Sequence, residues 1–196
     1  MTKAERTKRK IIEQSAELFN RKGYAATSVK DIMSETGLSK GGLYNHFSGG
    51  KEEIAVAAFR HAVDAVYSAV GNRTHAVASA AGKLKAVIQH YRENIFTPPV
   101  EGGCPIQNTG VHADNNPRLR AEVRSAIEDW QGRVIHTLNK GIENGEFRED
   151  IDREGFATFF IGSIEGGILL ARAYGDAAFF DVMADKVLGE IERLKR

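Results

Sequence analysis

Residues 28–47, SVKDIMSETGLSKGGLYNHF, constrain the fold more tightly than any other stretch of the chain. Ser28 with Asp31 three positions on is a helix start of capping-box form, and Val29, Ile32 and Met33 recur at the spacing of one helix face. Gly37 stands where a helix ends in a left-handed residue. Ser39, two residues later, can accept hydrogen bonds from the unpaired N–H groups of a second helix. Leu38 before that cap and Leu43 after it have the spacing of a hydrophobic staple, which sets the angle between the two helices. Two short helices joined by a glycine-bearing turn form the helix-turn-helix arrangement, whose second helix enters the DNA major groove by its N-terminal residues.

Those residues are Ser39, Lys40, Gly41, Gly42, Tyr44, Asn45 and His46, with Leu43 and Phe47 expected to face inward. Gly41 and Gly42 each weaken a helix by about 1 kcal/mol relative to alanine, so a pair of them in a short helix implies close approach to another surface. Lys40 can donate to guanine O6 or N7, Asn45 can pair with an adenine edge, and Tyr44 and His46 can donate to phosphate oxygens. A Ser-Lys-Gly-Gly turn that merely joins two core helices has the same spacing.

From Thr27 to Glu53 the chain follows T-S-V-x-D-I-x-x-x-x-G-L-S-x-G-x-L-Y-x-H-F-x-x-K-E-E nearly without a gap, and so resembles the TetR-like bacterial transcriptional regulators. The resemblance implies an all-α fold of about nine helices. An N-terminal three-helix DNA-binding domain over residues 1–50 would precede a larger helical ligand-binding and dimerisation domain over 51–196, with 51–70 as the connecting helix. It implies a homodimer on an approximately palindromic double-stranded operator, released by a small-molecule effector. It also adds Thr27, Ser28 and Lys51 to the DNA-contacting set, although the Thr27 hydroxyl has a local turn hydrogen bond as its alternative. The signature covers roughly residues 10–60; beyond them the helix order and the element opening Gly102-Gly103-Cys104-Pro105 resemble a subset of the family.

Charge is distributed in keeping with this. Residues 1–50 carry nine Lys or Arg against five Asp or Glu, a net of +4 within a chain whose total is +1. A basic N-terminal part on an otherwise acidic chain suits a phosphate-facing domain, and a solvated charged face would look similar. The basic arm Lys3, Arg6, Lys8, Arg9 and Lys10 is read either as a frayed terminus or as a direct DNA contact. No run of apolar residues approaches the length of a membrane span, and the charged N-terminus is unlike a signal peptide, so a cytoplasmic protein with no membrane partner is expected. One cysteine, Cys104, excludes an intrachain disulfide and any cysteine-cluster zinc site. The histidines lack the spacing of metal ligands, so neither a metal nor another cofactor is expected.

Along the rest of the chain, Ile11, Ile12, Ser15, Ala16, Leu18 and Phe19 form a helical stripe that covers the DNA-reading pair. Residues 71–82 read as a loop or weak helix start, followed by a stripe of Leu84, Val87, Ile88, Tyr91 and Ile95 that Pro98 and Pro99 stop. Asn116 and Pro117 read as the N-cap and first position of a long helix. Asp152 starts a strongly apolar helix with Gly162, Ser163 and Gly166 interleaved and Asp176 starts another, and the two suit a two-fold four-helix interface through residues 152–194.

A pocket between the middle helices is expected to use Tyr91, Phe96, Trp130 and Phe160 as walls, with Asn108, His112 and Glu165 as polar groups. Each is also a plausible core residue. Cys104, between flexible glycines and a helix start, is either an oxidant or electrophile sensor or a buried packing residue. An enzyme built on Cys104 with His112 as base would need an oxyanion site that the sequence does not supply, so no catalytic residue is assigned.

Overall fold

A computed structural model describes every residue except Asp114. Among the described residues it contains nine α-helices: α1 (Lys3–Lys22), α2 (Val29–Thr36), α3 (Lys40–Tyr44), α4 (Gly50–Thr74), α5 (Ala80–Asn94), α6 (Pro105–Gly110), α7 (Pro117–Glu143), α8 (Arg153–Tyr174) and α9 (Ala178–Arg193). They gather into two compact units, Met1–Val66 with Pro98–Ala126, and Tyr67–Thr97 with Ile127–Arg196. The segment Pro98–Ala126, expected in the second domain, thus belongs to the first unit. A buried amide accounts for this. Asn20 of α1 donates from Nδ2 to the carbonyls of Glu101 (2.9 Å) and Gly103 (3.0 Å), while Asn108 donates to the Asn20 carbonyl (3.0 Å) and Oδ1 (2.9 Å). Buried polar groups of this kind must be partnered, which latches the loop onto the helix.

In the first unit, Ile11 and Leu18 of α1, Ile32 of α2, Leu43 of α3, Phe47 and Ile54 form one core cluster, with Leu38 and Met33 packed against it. The basic arm is not frayed. Helix α1 begins at Lys3 behind a Thr2–Glu5 capping box. Lys10 donates to the Thr36 carbonyl at 2.9 Å, placing a cation at the negative end of α2. Lys8 lies over the Phe47 ring at 5.2 Å.

In the second unit, α8 and α9 pack on one another and α5 packs on both. Arg92 of α5 ties to α9 through Asp181 (2.7 Å) and Asp185 (2.6 Å). The N-terminal N–H groups of α5 at Ala80 and Ala81 donate to the two carboxylate oxygens of Glu146, at 2.7 and 2.8 Å. The fully buried ring of Phe147 lies against the backbone of Gly141, where an added Cβ would stand 2.1 Å from the ring. Gly141→Ala should therefore lower stability by about 1 kcal/mol, because overpacking costs about 2 kcal/mol and outweighs the helix-propensity gain of about 1 kcal/mol. A denaturant midpoint equal to wild type would contradict this.

The expectation that no apolar stretch reaches membrane-span length is corrected by α8, which is long enough and whose most apolar 18-residue window has a mean hydropathy of 1.3. Its apolar residues are interrupted by glycine, serine and Glu165, so no unbroken run marks it. Part of it is core: Ala157, Phe160, Ile164 and Ala171 are fully buried.

Candidate nucleic-acid interface and ligand cavity

Helix α2 starts as its sequence requires. Ser28 Oγ accepts from the Asp31 N–H at 3.1 Å, and the Ser28 N–H donates to Asp31 Oδ2 at 2.7 Å. Hydrogen bonds from the Ser28 hydroxyl and backbone hold the Asp31 carboxyl at a pKa of about 2. Gly37 then takes the left-handed conformation (φ 69°) with its N–H on the Met33 carbonyl, and Ser39 caps α3 by accepting from the Gly42 N–H at 3.2 Å.

The two faces of α3 separate as expected. Leu43 (0% exposed) and Phe47 (1%) point into the core, while Lys40, Gly41, Tyr44 and Asn45 are exposed and Gly42 and His46 partly so. The Tyr44 ring rests against the backbone of Gly50, where a Cβ would meet its hydroxyl at 3.3 Å. Among the described residues, nothing beyond the helix's own backbone comes within 4 Å of a Cβ added at Gly41. The fold's own packing therefore gives no reason for glycine at position 41. Lys51, in the first turn of α4, sets its ammonium over the Tyr24 ring at 4.2 Å. Burial lowers its pKa, opposed by the nearby Asp31 charge. The Lys51 cation is thus held at the same end of the first unit as the α2 N-terminus.

Two expected DNA contacts are corrected. The Thr27 side chain is fully buried, and its hydroxyl donates to the Gly23 carbonyl at 2.8 Å. The Ser28 hydroxyl accepts from the Asp31 N–H and donates to the Asp31 carboxylate. Turn and cap groups need these hydroxyls, which leaves neither a proton for a phosphate.

The second unit holds a cavity of about 150 Å³ between α4, α5 and α7. Tyr91 and Trp130 line it as expected, their rings stacked with centroids 6.0 Å apart. Their companions follow the same helical stripes: Tyr67, Val70, Gly71 and Thr74 on α4, Lys83, Leu84 and Val87 on α5, and Arg133, Val134 and Thr137 on α7. Lys83 and Arg133 escape sequence reading because a charged residue between apolar ones looks like a solvated position; their spacing of four from Val87 and Thr137 was the available signal.

The remaining pocket assignments are corrected. Phe160 is fully buried against Phe156, with ring centroids 6.0 Å apart, and does not reach the cavity. Phe96 is 47% exposed, and neither it nor Glu165 lines the cavity. Cys104, Asn108 and His112 belong to the first unit. The Asn108 amide is spent on Asn20, and His112 packs against Gly23. Cys104 is buried at 6% exposure, as a packing residue would be.

On the outer face of α8 and α9, Phe159, Leu169, Leu170, Tyr174, Phe179 and Val182 are exposed. Gly162 and Gly166 lie among them with open space above their backbones. Tyr174 stacks on Phe179 at 4.1 Å.

Residues 11–58 match the family described as bacterial regulatory proteins, tetR family, and residues 80–187 match the tetracyclin repressor-like C-terminal domain. A TetR transcriptional regulator from Chloroflexus aurantiacus J-10-FL superposes with a TM-score of 0.94 and 34% identity, covering 100% of this chain and 99% of that one. A TetR-family regulator from Cytophaga hutchinsonii gives a TM-score of 0.91 and 32% identity, covering 100% and 98%. The HTH-type transcriptional repressor KstR2 of Mycobacterium tuberculosis is 27% identical over 154 residues, covering 72% of this chain and 70% of its own.

Proposed function

Because the chain belongs to the TetR family of DNA-binding transcriptional regulators, we propose that it is a cytoplasmic homodimeric repressor that leaves a palindromic operator when a small molecule fills the α4–α5–α7 cavity. The observation that carries the DNA half is the exposed face of α3, where Lys40, Tyr44 and Asn45 stand outward around a glycine that internal packing does not require. Lys40 and Asn45 read base edges; Tyr44, His46, Ser39 and Lys51 hold phosphates. Dimerisation through the exposed face of α8 and α9 brings two such helices to two half-sites, and specificity gains from both.

The effector half is supported by a cavity whose walls include the C-terminal turns of α4, the helix whose first turn carries Lys51. A ligand weakens DNA binding only if it prefers the state in which the reading heads are misplaced, and a coupling of about 1–3 kcal/mol lowers affinity roughly 5- to 150-fold. Thiol sensing through Cys104 loses its support, since reactive thiols are accessible and Cys104 is buried.

Selection of bound duplexes from a random pool tests the reading. The expected consensus is an inverted repeat, bound with an affinity that falls steeply with salt as Lys40, Lys51 and their symmetry mates displace counterions. A protein that enriches no duplex at low ionic strength is not a DNA-binding regulator, and a consensus without two-fold symmetry removes the dimer.

A further inference from the structure

Resting on the reading of the α4–α5–α7 cavity as the effector site, we propose that its ligand is a small apolar or aromatic carboxylate whose anion is received by Lys83. Size comes first. A cavity of about 150 Å³ is of the scale that takes a benzene-sized body. Its walls are apolar and aromatic: Leu84, Val134 and Trp130 are 2%, 4% and 6% exposed, and Tyr91 stacks on Trp130.

The charges decide the class. Two cations, Lys83 and Arg133, line the cavity, and no aspartate or glutamate is among the described lining residues. Arg133 is already engaged, lying over the Tyr67 ring at 4.6 Å and 3.7 Å from Asp129. Lys85, two residues along α5, pairs with Glu192. Lys83 is different, with no carboxylate within 4.0 Å among the described residues. The first N–H groups of α5 are occupied by Glu146, so they do not compete for an incoming anion. A cationic ligand would meet Lys83 as a like charge that no carboxylate within 4.0 Å offsets among the described residues, and a neutral one would bury the approach to the Lys83 ammonium without compensating it. A carboxylate satisfies the ammonium by a charge-assisted hydrogen bond while its apolar body lies along Tyr91 and Trp130.

Trp130 is the chain's one tryptophan, so quenching of its emission reports directly on the cavity. Benzoate, benzamide and benzylamine are three probes of one shape and three charge states, to be titrated at constant ionic strength. Benzoate should bind at least about tenfold more tightly than benzamide, and benzylamine most weakly. Lys83→Gln should bring benzoate down to the benzamide level and leave benzamide unchanged, with thermal unfolding confirming that the variant is folded. Equal binding of benzoate and benzamide, or an unchanged ratio in Lys83→Gln, overturns the carboxylate class while leaving the cavity as a ligand site. No quenching by any of the three overturns the class and the effector-site reading together.

Discussion

Leu169→Glu combined with Val182→Glu should turn the protein into a monomer and lower operator affinity by about 10²- to 10⁴-fold. Both side chains are exposed in the single chain, at 56% and 66%, so neither supports its fold. Surface changes of this kind shift stability by no more than about 0.5 kcal/mol. Four buried glutamates at a two-fold interface, however, would be like charges without partners, and association would fail. Loss of the second reading head then removes the gain from simultaneous engagement of two half-sites, which is the source of the estimate. Sedimentation and mobility-shift measurements check it, with helical circular dichroism unchanged. A variant that stays dimeric would place the interface elsewhere, and a monomer with undiminished operator affinity would show that pairing is not needed.

Gly41→Ala carries the second large effect, and its signs are opposed. An alanine in this turn should stabilise the isolated protein by up to about 1 kcal/mol, since its Cβ enters open space. The same methyl stands on the exposed face of α3, where we place the DNA, and should weaken operator binding about 10- to 100-fold in the dimer, where it occurs twice. Gly42 is a poorer probe because a Cβ there would stand 3.3 Å from Ser39 Oγ and disturb the cap. A Gly41→Ala protein that is more stable and binds the operator as wild type does would remove the argument for close approach.

The helix-turn-helix was legible because each of its features is local. A capping box, a left-handed glycine, a serine cap and a staple depend on residues three to five apart, and the structure contains all four between Ser28 and Leu43. The alternation of Leu43 and Phe47 with Lys40, Tyr44 and Asn45 told inside from outside for the same reason. The roles of Thr27 and Ser28 did not follow, because a hydroxyl near a helix start serves a backbone group or a phosphate equally well on paper. Only the folded turn shows the Gly23 carbonyl and the Asp31 carboxylate already there.

Helix periodicity by itself also determined that Tyr91 and Trp130 turn inward, since one stripe per helix must be buried. It could not tell which inward stripes face a void and which are filled. Phe160 and Trp130 are both apolar, inward and aromatic, yet one is sealed against Phe156 and the other borders the cavity. Contacts across long sequence separations drew that line. The amide latch between Asn20 and Asn108 put Pro98–Ala126 into the first unit, and the carboxylate of Glu146 found the start of α5. Short-range chemistry is written in neighbouring residues, whereas the partner of a buried amide or an unfilled volume exists only once distant segments have met.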